Sequence, residues 1–189
     1  AYESAGRLDE AITLYENLLP NYIRVLGADH PDTLTSRCNL AYAYESAGRL
    51  DEAITLYENL LPNYIRVLGA DHPDTLTSRC NLAYAYESAG RLDEAITLYE
   101  NLLPNYIRVL GADHPDTLTS RCNLAYAYES AGRLTEAITL YEQVLPDSIR
   151  ILGEDHPLTK TVRKNLEAAR RELAQHKGES STEESAAQD

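Results

Sequence analysis

Ala43–Tyr84 reads AYESAGRLDEAITLYENLLPNYIRVLGADHPDTLTSRCNLAY, and the same letters stand at Ala1–Tyr42 and again at Ala85–Tyr126. A fourth, altered unit begins at Ala127 and runs into the carboxyl-terminal segment. Self-similarity at a fixed period of about 20–50 residues marks a repeat architecture, in which each unit buries its apolar face only against its neighbours. A residue that recurs once per unit is therefore read first as architecture. Chemistry comes second.

Within one unit the apolar spacing is helical. Ala11, Tyr15, Leu18, Leu19, Tyr22, Val25 and Leu26 recur at intervals of three and four from Leu8 onward. Asp9 and Glu10 fall in the first turn, where they complement the helix dipole. Gly27 suits the left-handed residue that ends such a helix. Pro20 removes one internal hydrogen bond, yet the apolar spacing continues past it, so one kinked helix is expected rather than two. Asp29-His30-Pro31 is a helix-start signature, with Asp29 or His30 as N-cap. Leu34, Cys38, Ala41, Tyr44 and Ala47 then trace one face of a second helix that ends near Gly48.

The unit is thus a helical hairpin. Repeated, it predicts a helix stub at 1–5, a helix at 8–26, hairpins at 31–68, 73–110 and 115–152, and a capping helix at 157–176. The last helix carries Lys160, Arg163, Lys164, Arg170 and Arg171 where a further unit would need apolar or small residues. That pattern fits an end cap, packed on one face and solvated on the other. Residues 177–189 form a polar, acidic stretch expected to be disordered. The chain opens inside a repeat without Met, so an upstream segment is expected, and the uncovered front end offers an apolar surface for weak self-association.

Composition limits the function. The net charge is −13, and each identical unit sets six acids against three arginines. Phosphate backbones need clustered Lys and Arg, so nucleic acid is excluded as a partner, and anionic membranes with it. No apolar run approaches the ~18 residues of a membrane span. Three Cys, one per unit, fit a reducing compartment, with the cytoplasm as the default. The fourteen Tyr follow largely from copying a unit that holds four.

One local motif decides among repeat families of similar period. Asn39-Leu40-Ala41-x-x-Tyr44-x-x-x-Gly48-Arg49-Leu50-x-Glu52-Ala53-x-x-x-Tyr57 resembles the tetratricopeptide repeat, whose Leu-Gly, Tyr, Gly, Ala and second aromatic lie at these intervals. Armadillo and HEAT units do not call for it, and no stretch alternates with the period of two that a WD40 blade requires. The added Leu68-Gly69-Ala70-Asp71-His72-Pro73-Asp74-Thr75 looks like the longer subtype of kinesin light chains and bacterial tandem-repeat proteins. Three positions depart from the family pattern: Arg37 where it has Trp, Leu60 where it has a small residue, and Cys38 where the subtype has Asn. The resemblance implies an all-α, right-handed superhelical solenoid of antiparallel helix pairs.

It also implies a concave groove lined by first helices. Its peptide-binding positions would be Thr35, Cys38, Asn39, Tyr42, Glu45 and Ser46, then Thr77, Cys80, Asn81, Tyr84, Glu87 and Ser88, then Thr119, Cys122, Asn123, Tyr126, Glu129 and Ser130. Asn39 and its copies can hydrogen-bond a peptide backbone, and Tyr42 offers a rigid surface with a polar tip. No Lys occurs before Lys160, so the lysine clamp for terminal carboxylates is missing and an extended, basic peptide fits better.

Catalysis and metal binding find little support. Zinc needs about four ligands within roughly 2.0–2.3 Å, whereas equivalent residues of stacked hairpins sit about 10 Å apart. Identical copies also offer no unique pocket for a nucleophile and its base. No metal, cofactor or enzymatic activity is expected. If Cys38, Cys80 and Cys122 face the groove, they form an exposed lane of reactive thiols. The expected function is a protein-interaction scaffold. The alternatives are an engineered identical-repeat array without a physiological ligand and a fragment of a bacterial signalling regulator.

Overall fold

The computed structural model describes residues 7–186, with side chains through His176. Among the described residues the chain forms eight α-helices and no strand: α1 (Leu8–Leu26), α2 (Pro31–Ser46), α3 (Leu50–Leu68), α4 (Pro73–Ser88), α5 (Leu92–Leu110), α6 (Pro115–Ser130), α7 (Leu134–Leu152) and α8 (Pro157–Ala186). The expected stub at 1–5 lies outside the described residues. Two compact units divide inside α5, one spanning Ala1–Leu98 and the other Tyr99–Asp189.

Each helix boundary has a chemical cause. At the start of α2, His30 is the N-cap, and its Nδ1 accepts the Asp32 N–H at 3.2 Å. Asp29, the other candidate, turns outward and pairs with Arg66 on α3. His72, His114 and His156 repeat the cap, each with an Nδ1 contact of 3.2 Å. At the end of α2, Gly48 adopts φ +74. Its N–H donates to Glu45 O, and the Arg49 N–H donates to Tyr44 O, both at 2.9 Å. This pair of bonds is the Schellman closure, which satisfies the last carbonyls and turns the chain into α3.

The long helices end differently. Gly27 has φ 96 and ψ 157, and Gly69 has φ 95 and ψ 157. This is a region that only glycine enters readily, and it lies away from the left-handed helical basin expected at Gly27. The extended ψ sends the chain out of the helix toward the next cap. α1 runs unbroken through Pro20, as α3 does through Pro62.

In the Ala1–Leu98 unit, α1 packs on α2, α2 on α3, and α3 on α4. Ala41, Ala53, Ile54, Tyr57, Leu82 and Ala85 form one core cluster, and Leu34, Leu60 and Tyr64 form another. Small residues at Ala41, Ala53 and Ala85 let the backbones approach, and Tyr57 fills the space between. Fully burying a side chain such as Leu60 contributes roughly 1.5–3 kcal/mol.

In the Tyr99–Asp189 unit, α6 packs on α7 and α7 on α8. Cys122, Ala125, Ala137, Tyr141, Val144, Val162 and Leu166 build its core. There Arg121, the counterpart of Arg37, meets Asp147 at 3.0 Å, where Asp147 stands in place of the Asn of the identical units. The helical backbone of α8 continues to Ala186, past the end expected near His176. No Pro follows Pro157 to stop it, and a single Gly178 costs a helix only about 1 kcal/mol.

A joint recurs between hairpins. The Tyr44 hydroxyl donates to Glu16 at 2.6 Å, across from α2 to α1. The Arg49 guanidinium lies 4.3 Å over the Tyr44 ring, and its Nε donates to Glu52 at 2.9 Å. Tyr86 with Glu58 and Tyr128 with Glu100 repeat the bond at 2.6 Å each. On α8 the Tyr position holds Arg170, which reaches Glu142 of α7 at 2.7 Å. The hydrogen bond has become an ion pair in the same place.

Candidate functional site: the face of the shorter helices

The shorter helices, α2, α4 and α6, carry the positions singled out above. One face of each is committed to packing through Leu34, Leu40 and Ala41 or their copies. The opposite edge holds the polar set. Tyr42, Tyr84 and Tyr126 are about half exposed, at 53%, 50% and 46%. For a large aromatic ring this is high, since burial of such a side chain is the usual outcome. Thr35, Thr77 and Thr119 are exposed, and Thr119 turns its hydroxyl back to Pro115 O at 3.0 Å. Asn39 is exposed, whereas Asn81 and Asn123 are half-buried.

In the Ala1–Leu98 unit these residues meet. Tyr42, Glu45 and Ser46 from α2, Leu50 from α3, and Asn81, Tyr84 and Ser88 from α4 line a cleft of about 370 Å³. Two tyrosines flank it, and one carboxylate lies in it. Burial pushes the Glu45 carboxyl up to about 7, and burial does the same to Glu87. Both groups therefore change charge near neutral pH. Leu50 on the wall was absent from the expected set. As the first residue of α3 it follows a tight turn, and only the folded turn brings it beside α2.

In the Tyr99–Asp189 unit the same position is tied down. Asn165 Nδ2 donates to the Tyr141 hydroxyl at 3.2 Å, and that hydroxyl donates to Glu129 Oε2 at 2.8 Å. Burial raises the Glu129 carboxyl, while its bond to Tyr141 pulls the other way. The corresponding Tyr57 hydroxyl is buried without a hydrogen-bond partner, although Glu45 lies beside it. Asn81, the counterpart of Asn165, instead donates to Cys38 Sγ at 3.6 Å.

The condition for a thiol lane is not met. Cys38 and Cys80 are half-buried and Cys122 belongs to the core, so no lane of exposed thiols lines this face. Burial raises the Cys38 thiol and pushes Cys122 up to about 11. Protonated thiols are poor nucleophiles. The reason is steric: at this register the helix turns its small residues toward the neighbouring hairpin.

Other depressions lie on the longer helices. Asp9, Glu10, Thr13, Leu14 and Asn17 line one of about 410 Å³. Asp51, Glu52, Thr55, Leu56 and Asn59 line another, and Thr135, Glu136, Thr139, Leu140 and Gln143 a third. The three sets are equivalent positions of α1, α3 and α7.

Comparison with known proteins agrees with this architecture. A sequence family described as tetratricopeptide repeat matches residues 1–64, 38–106, 81–148 and 123–186. No curated protein sequence matches the chain. Among solved structures, a proposed kinesin light chain from Podosopora anserina with nearly identical TPR-like repeats superposes with a TM-score of 0.81 at 32% identity, covering 94% of this chain and 84% of that one. A point variant of that protein gives 0.81 at 31% identity, covering 97% and 87%. BtubC (BKLC) from P. vanneervenii, at 22% identity and a TM-score of 0.72, covers 88% and 66% and shares the fold.

Proposed function

The chain belongs to the tetratricopeptide repeat family, and on that footing we propose that it is a non-enzymatic scaffold whose shorter-helix face takes an extended, basic stretch of a partner protein. One observation carries the reading: Tyr42, Glu45, Asn81 and Tyr84 come together around one cleft. Tyrosine rings give rigid contact area at low entropic cost, and Arg or Lys stacks on them favourably. Asn81 supplies donors and an acceptor for a peptide backbone. The carboxylates supply the counter-charge, in a chain whose overall charge is −13. The three cysteines, none of them in a disulfide, fit a cytoplasmic setting.

The test is fluorescence anisotropy with a fluorescent Lys/Arg-rich 12-residue peptide and an acidic one of the same length. The basic peptide is expected to bind, and Tyr42→Ala with Tyr84→Ala is expected to weaken it at least about tenfold, the usual weight of aromatic anchors. The pH dependence has a definite sign. Glu45 and Glu87 ionise as pH rises through about 7, so affinity should rise from pH 6 to pH 8, and Glu45→Gln should flatten that rise. Equal binding of both peptides, or binding indifferent to the tyrosines, would sink the reading.

A further inference from the structure

Glu45 lines the cleft of Tyr42 and Tyr84, and beside it stands a side chain that a ligand in the cleft cannot touch. Tyr57 of α3 is 0% exposed, and among the described residues its buried hydroxyl has no hydrogen-bond partner. Leaving a buried hydroxyl unpaired is costly. Asn81 of α4, which also lines the cleft, donates to Cys38 Sγ at 3.6 Å, a long bond to a weak acceptor.

The counterparts of these three residues are joined. In the Tyr99–Asp189 unit Asn165 donates to the Tyr141 hydroxyl at 3.2 Å, and that hydroxyl donates to Glu129 at 2.8 Å. The same Glu, Tyr and Asn thus stand open on α2, α3 and α4 and closed on α6, α7 and α8. Resting on the basic-peptide reading above, we propose that Tyr57 is a positioning residue of the cleft. When a ligand's cation seats on Glu45, the Tyr57 hydroxyl closes on the carboxylate, and Asn81 leaves Cys38 to donate to Tyr57. One N–H and the carbonyl of Asn81 then stay available to the peptide backbone.

Charge gives the closure its direction. Hydrogen bonds to an ionised carboxylate are shorter and roughly twice as strong as those between neutral groups. An ammonium or guanidinium within a few ångströms favours the ionised form of Glu45. That cation comes from the ligand, because among the described residues lining the cleft none is Lys, Arg or His. The other titratable groups around the pair are Cys38 and Tyr42 on α2 and Tyr84 on α4, and none of them supplies positive charge. A residue without access to the ligand is in this way coupled to the ligand's charge.

The test titrates the fluorescent Lys/Arg-rich peptide into the full chain and into its Tyr57→Phe variant. Phe keeps the buried ring, so urea unfolding of the ligand-free variant should match the parent. Peptide affinity should nonetheless fall about tenfold, the lower end for a hydrogen bond to a charged group. A double-mutant cycle separates positioning from packing: with Glu45→Gln already in place, Tyr57→Phe should leave affinity unchanged. The pH profile gives a second readout. Burial raises the Glu45 carboxyl and the Tyr57 hydroxyl pulls it down, so in Tyr57→Phe the rise of affinity should move to higher pH. Full affinity in Tyr57→Phe, beside a parent that binds, would overturn the inference and leave the peptide reading standing. An equal loss in the Glu45→Gln background would also overturn it, by making Tyr57 a packing residue. A parent that fails to bind the basic peptide would overturn the reading and the inference together.

Discussion

α1 and α3 are a controlled experiment that the molecule performs on itself. Their residues are identical, both are unbroken helices through an internal proline, and both end on a glycine with the same backbone angles. They differ in burial, because among the described residues α3 has a helix on each side and α1 has α2 on one. Secondary structure and termini are thus set locally, whereas the energy of each leucine is set by its neighbours. In a repeat array the interface between units carries much of the stability, and an end unit has fewer interfaces.

The largest effect should appear when the two helices are cut at the same place. Leu60→Ala removes a fully buried side chain and should cost about 2–5 kcal/mol in urea unfolding. Leu18→Ala, the identical substitution one unit earlier, should stay within about 1 kcal/mol. Equal losses at the two sites would mean that α1 is covered in solution, and the contrast between the helices would collapse.

Glycine sharpens the comparison from the other side. Gly27 and Gly69 share their backbone angles, and an added Cβ would meet no atom within 4 Å at either position. The cost of Ala is therefore backbone strain alone, about 1–3 kcal/mol. Gly27→Ala and Gly69→Ala should shift the urea midpoint by similar amounts. A large difference between them would show that neighbours shape the turn as well as the core.

A smaller effect separates α3 from α7. The Tyr141 hydroxyl holds Glu129 and Asn165 by hydrogen bonds, so Tyr141→Phe should destabilise by about 1 kcal/mol. At Tyr57 the buried hydroxyl has no such bond, and Tyr57→Phe should be neutral or slightly stabilising in the same assay. Two destabilised variants of equal size would show that Glu45 closes on Tyr57 in solution.

These contrasts also show how far the amino-acid sequence could be read. The helical hairpin, its turns and its pairing follow from periodicity, Gly48, and the Pro31 start, because these are local effects repeated without change. The motif around Tyr44 and Gly48 named the family. The family resemblance, not spacing, put Tyr42 and Tyr84 among the candidate positions, and both line the cleft beside α3. Periodicity did not decide between Asp29 and His30 as the cap, since either side chain can accept the bond and the choice depends on Arg66 drawing Asp29 away. It left the thiols open, tracing Cys38 on the apolar face with Leu34 and Ala41 while the resemblance listed it among the groove positions, and the structure half-buries it. The bond from Tyr44 to Glu16 was invisible for another reason. It joins helices of successive hairpins, and no local pattern states which Glu a Tyr will reach.

That bond bears on how such a chain changes length over generations. Tyr44, Tyr86 and Tyr128 each reach backward to a Glu that stands 28 positions earlier, and the unit that is copied carries both a Tyr and a Glu of this kind. Duplicating or deleting one unit in the gene leaves each surviving Tyr opposite a Glu at the same separation. Copy number can then rise or fall by unequal recombination with no mismatched seam to repair, and the repeats stay interchangeable for as long as both halves of the joint are inherited together.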